Sequence, residues 1–64
     1  MTKKFLLIEG DASEQVHVTQ YVETDLLRRF NAPFLFMVRQ FVETADVGSY
    51  AIVGNNYYVV VRVK

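Results

Sequence analysis

The sequence predicts an α+β fold that is mostly β: a small antiparallel sheet with one short helix, in the order β-β-α-β-β-β. Three observations carry this expectation. In Tyr50-Ala-Ile-Val-Gly-Asn-Asn-Tyr-Tyr-Val-Val-Val-Arg-Val-Lys64, two β-branched, aromatic-rich runs flank Gly54-Asn55-Asn56. Gly and Asn accept positive φ at little cost, so this pattern reads as a hairpin with a tight turn. Residues 15–23 alternate with period two, the strand signature. Residues 24–30 carry the start and stop signals of a short helix.

Taken in order, Lys4 to Glu9 reads as a strand, and Gly10-Asp11-Ala12-Ser13 as a turn. In the second strand Val16, Val18 and Val22 fall on one side, and His17, Thr19 and Glu23 on the other. A helix competes there, since Val18, Val22, Leu26 and Phe30 recur at i+4. The strand is preferred because β-branched valines and threonines lose χ1 freedom in a helix. For the helix that follows, Thr24 is the expected cap. Asp25 sits at the positive end of the dipole, and Arg28 and Arg29 at the negative end. Asn31 can stop it in a left-handed conformation, and Pro33 discourages continuation.

Phe34 to Glu43 fits two readings. As a helix, Phe34, Leu35, Met37, Val38, Phe41, Val42 and Ala45 share one face, opposite Arg39, Gln40 and Glu43. As a strand, both faces are largely apolar, as in a central strand covered on both sides. The strand is taken first, because the sheet then becomes a continuous antiparallel meander. A second helix at 33–46 in place of the third strand is the alternative. Residues 44–49 are a loop, and the hairpin closes the fold.

Val18-Thr-Gln-Tyr-Val-Glu-Thr24 echoes Val38-Arg-Gln-Phe-Val-Glu-Thr44, with five of seven positions identical. Two copies are too few for a solenoid, and the flanks diverge at once. The echo favours one secondary structure for both segments.

At 64 residues the chain is expected to be one small domain, 1–64, near the size at which a core alone stabilises a fold. It has no cysteine, so no disulfide supports it, and a reducing, cytoplasmic setting is expected. The apolar run after Met1 is too short for a signal peptide, and no stretch approaches a membrane span. Hydrophobic residues reach 52%, above the ~45–50% usual for soluble domains. Such a chain must expose apolar side chains or cover them with a partner. The net charge is zero, so no global field draws in nucleic acid. Acids nevertheless gather at Glu9, Asp11, Glu14, Glu23 and Asp25, with no Lys or Arg between them.

Catalytic signatures are missing from the sequence. His17 is the single histidine; a metal there would need Glu14 or Glu23 beside it, and on the strand reading it points outward. Ser13 or Ser49 with Asp11 lacks the Gly-x-Ser-x-Gly elbow, and the three glycines form no phosphate-binding loop. The chain is not expected to be an enzyme, and neither a cofactor nor a metal is expected. Gly48-Ser-Tyr-Ala-Ile-Val53 resembles the aromatic strand of RNA-recognition motifs, but it lacks the leading base, carries an extra serine and loses the closing aromatic.

The expected function is a small non-catalytic protein-binding module, such as a phage or mobile-element inhibitor of a host enzyme. The alternatives are a single-stranded nucleic-acid-binding protein, or a homo-oligomeric subunit that binds a small ligand. In the last strand, Tyr57, Val59, Val61 and Val63 are expected to face the core. Tyr58, Val60 and Arg62 then form the partner-binding surface, joined by Tyr21, Glu23 and Asp25. Self-association is expected, with a dimer favoured, and no membrane.

Overall fold

The computed structural model describes residues 2–10, 13, 15–54 and 57–64. The expected turn residues Asp11, Ala12, Asn55 and Asn56, and the acid Glu14, lie outside the described residues. Elements follow the order β1 (Lys4–Gly10), β2 (Val16–Val22), α1 (Glu23–Arg28), α2 (Phe34–Thr44), β3 (Tyr50–Val53) and β4 (Tyr58–Arg62). The four strands form one antiparallel sheet, and the fold is α+β, mostly β. Among the described residues no helix is long and apolar enough to cross a membrane.

Both hairpins form as their local sequence dictates. β1 pairs with β2 from Lys4↔Val22 to Gly10↔Val16, and β3 pairs with β4 from Tyr50↔Val61 to Val53↔Tyr58. Gly54 enters the second turn at φ +60°, and a Cβ there would stand 3.4 Å from the Phe34 ring. The strand order is β2-β1-β4-β3, so the expected meander does not form. Instead β1 and β4 pair at the centre, Phe5↔Arg62 through Glu9↔Tyr58, and bring the two ends of the chain together. A meander would leave β1 on an edge, with its Phe and Leu residues half covered. The central position gives β1 a neighbour on each side.

Residues 34–44 are helix α2, so the alternative holds and the third strand of the first expectation does not exist. The cause is the need to cover one face of the sheet. Val38 and Val42, one turn apart, are buried, while Leu35 and Phe41 pack against the core. A strand would have divided these four side chains between two faces and left Phe5 and Leu7 with no layer above them. Phe34 and Met37, expected on the buried helix face, are exposed, as is Phe36. The echoed heptapeptides adopt different structures: Val18–Val22 of the first is strand and its Glu23 and Thr24 open α1, whereas the second lies wholly in α2. Tertiary packing overrides a shared local preference.

α1 begins at Glu23 after Val22, with no side-chain cap, so Thr24 lies in the first turn and does not cap it. Its Leu26 enters the core with Phe5, Leu7, Phe30, Val38, Val42, Val53 and Val60. The Phe5 and Phe41 rings tilt together at 6.1 Å, and Phe30 meets Tyr58 edge-on at 5.6 Å. Every member of this core lies between the sheet and the helices.

The pairing of the termini also finishes α2. A carbonyl of its last turn and that of Ala45, which follows it, face two cations held by the strands or their flanks. Lys3 Nζ donates to the Val42 carbonyl at 2.9 Å, and Arg62 Nη1 to the Ala45 carbonyl at 2.6 Å. Cations at the negative end of a helix satisfy carbonyls that the helix leaves unpaired.

Two stability outcomes follow. Leu7→Ala should lower the unfolding free energy by about 2–5 kcal/mol, while Thr19→Ala, exposed on the same side of the sheet, changes it by less than about 0.5. Chemical denaturation reads both, and equal effects would place the core elsewhere. Arg62→Leu keeps part of the apolar stem and removes the donor, so a loss of about 1–2 kcal/mol is expected. An unchanged denaturation midpoint would show that the Ala45 carbonyl, just past α2, does not depend on Arg62.

Candidate functional site

The strand registers assign each side chain to one face of the sheet. On the helix side, Phe5 stands between Tyr21 and Arg62, Leu7 between Thr19 and Val60, and Glu9 between His17 and Tyr58. This reverses the expected phase of β4. Val60 is fully buried in the core and Tyr58 packs on Phe30, whereas Val59 and Val61 stand half-buried on the far face. Counting apolar positions along β4 favours the wrong phase. Arg62 belongs inside because it reaches the end of α2, and Tyr58 because its ring closes the core.

The far face has no layer over it among the described residues. One row crosses it as Val18, Ile8, Val59 and Ile52, and the next as Gln20, Leu6, Val61 and Tyr50. Val16, Gly10 and Tyr57 extend it at one end, and Val22 and Lys4 at the other. The edge positions are the most open: Val16 is 65% exposed, Val18 58%, Ile52 49% and Tyr50 67%. Lys4 is the one charged residue in these rows, and there is no acid. With strands ~4.8 Å apart and same-face residues ~6.8 Å apart, the face covers roughly 450 Å² in projection. The molecular surface is 4603 Å², against about 4,200 Å² expected for a folded chain of this mass.

The valines of β2 make the same point. Val16, Val18 and Val22, which alternation marks as an inward side, all lie on the open face. On both β2 and β4 the more apolar phase therefore points away from the helices. Two strands read the same way: the sheet carries a second apolar face.

None of the six residues expected at a partner surface lies on that face. Val60, Tyr58 and Tyr21 belong to or pack on the core, and Arg62 donates to the Ala45 and Lys64 carbonyls. Glu23 and Asp25 occupy the first turn of α1, where the helix dipole favours acids. Of the acidic segment's described residues, Glu9 pairs with Arg29 at 2.9 Å. Glu9, with a smaller contribution from Tyr21, holds the Arg29 guanidinium above its ordinary pKa. A base raised in this way loses its contribution only as pH climbs through the raised value, so neutral pH leaves the pair intact. Being half-exposed, it is worth ~0.2–1 kcal/mol and weakens with salt.

A shallow groove of about 600 Å³ is lined by Thr2, Lys3, Lys4, Val47, Arg62 and Lys64. Two of its four cations, Lys3 and Arg62, already serve the carbonyls at the end of α2. Among the described residues no three His, Asp or Glu side chains converge where they could hold a metal. His17 is exposed on the helix-side phase of β2, opposite Glu9. The open face is therefore the feature with the most surface and the least internal use. The signal that could have located it was present in the valine phases, once read as facing outward. Comparison with protein-family models, with curated proteins and with solved structures found no match to this chain.

Proposed function

We propose that this chain is a small non-catalytic protein-binding module that acts through the open face of its sheet. The observation that supports this reading is the phase reversal: the more apolar sides of β2 and β4 face away from the helices, on a surface carrying Lys4 and no acid. Apolar residues placed in register across four strands lose their contact with water only when a partner covers them. The matching partner surface is apolar, and binding needs no chemistry. An inhibitor that occupies an enzyme's surface is one form such a module takes, and a cytoplasmic setting belongs to the same reading.

A second reading draws on Tyr50 and Tyr57, which stand exposed on this face and offer stacking platforms to single-stranded nucleic acid. Lys4 is the single cation beside them in the paired rows, and phosphate contact, which dominates such affinity, needs several. The protein-binding reading is therefore preferred.

A photo-reactive p-benzoylphenylalanine in place of Tyr50 tests it. Irradiation in a native lysate should give covalent protein adducts, and Ile8→Lys in the same chain should reduce their yield by about ten-fold or more, as a buried charge does at an apolar contact. The same probe in place of Thr19 should give few. Equal labelling from both positions would reject the open face as the contact surface. Retention of an oligonucleotide at low salt, lost steeply as salt rises, would favour the nucleic-acid reading.

A further inference from the structure

We infer that the occupant of the open face is a second copy of this chain, packed sheet against sheet across a two-fold axis. This rests on the open face being a docking surface, and it names the partner.

Area supplies the first argument. The roughly 450 Å² projection understates the accessible area, because Val16, Val18 and Tyr50 at its edges stand more than half exposed. Two copies then bury on the order of 1,000 Å² together, near the lower end of specific interfaces. Sheets packed face to face stand ~10 Å apart with their side chains interdigitated, and four rows from each copy suit that geometry.

Charge supplies the second. Discrimination between partners uses charges placed to match one and repel another. The rows across this face hold Lys4 and no acid, and Lys4 lies in an end row, from which its amine reaches the rim while its stem covers apolar surface. A two-fold contact sets a patch against itself, so an uncharged apolar patch is self-complementary by construction. The central side chains Leu6, Ile8, Val59 and Val61 then form a second core shared by the two copies.

Economy supplies the third. Among the described residues the helix-side core has eight buried side chains, and the sequence has no cysteine to staple it. Chains of this size commonly gain their remaining stability from a staple or from association. Pairing of the open faces adds Leu6, Ile8, Val59 and Val61 of each copy to the buried core without adding a residue.

Light scattering coupled to size-exclusion chromatography, run across a dilution series of the full chain, tests the inference. The expected mass is two chains at high concentration, falling towards one on dilution. Ile8→Lys should weaken the dimer by at least about ten-fold in Kd while leaving the circular dichroism spectrum unchanged. Should that variant unfold, Ile52→Lys, placed at the more open edge of the face, reads the same effect. A mass of one chain up to about millimolar protein overturns the inference, as does a dimer that Ile8→Lys leaves intact, since that dimer pairs elsewhere, for instance through the β2 edge. If the wild-type chain stays monomeric while the probe in place of Tyr50 captures a different protein, the self-pairing fails and the docking surface stands. If it stays monomeric and the probe captures nothing, both fail.

Discussion

Pairing of the first strand with the last is the constraint on which the rest of the structure depends. It makes β1 and β4 the two central strands, so Phe5, Leu7 and Val60 lie in the middle of the sheet, where the helices can bury them. It leaves the two hairpins on either side and brings Lys3 and Arg62 to the end of α2. A contact between residues so far apart in the chain has a loop-closure cost, offset only when the groups that it gathers are buried together. Here the same pairing that builds the sheet also builds the core and caps the longer helix.

That arrangement fixes which face of every strand meets the helices. Once Phe5 and Leu7 face inward, the antiparallel registers place Tyr58 and Val60 beside them and send Val59 and Val61 outward with Leu6 and Ile8. β2 follows, and its valines go to the outer side. A layer of two short helices covers one face of a four-stranded sheet and cannot also cover the other. At ~25 cal/mol per Å² of apolar surface, leaving several hundred Å² in water forgoes stabilisation comparable to the whole folding free energy of a small domain. A second covered face is the physical expectation for such a sheet.

What the sequence makes legible is what short-range chemistry decides. Period-two alternation locates β2, the Gly54 turn locates β3 and β4, and α1 falls within one or two residues of its expected bounds because Asp25, Arg28 and Arg29 report the dipole. The features that escape are decided at long range. The β1–β4 pairing has no local signature. Residues 34–44 fit both periodicities, and only the need to cover Phe5 and Leu7 selects the helix. The phase of β4 is the instructive case. Its richer side, Tyr57, Val59, Val61 and Val63, reads as the core under the assumption that a sheet has one buried face. Arg62 reads as part of a partner-binding surface until α2 is placed next to it. The echoed heptapeptide makes the same point, since its first five residues are strand in one copy and helix in the other.

On the proposed pairing, both apolar faces of this sheet are removed from water in solution. Solvent paramagnetic relaxation of methyl groups, measured with a soluble gadolinium chelate, tests it most directly. The methyls of Leu6, Ile8, Val59 and Val61 should relax about as slowly as those of Leu7, Val38 and Val60, which the helices cover. Fast relaxation of the first group at the protein's working concentration, with the second group protected, would contradict the claim and leave the open face exposed to water.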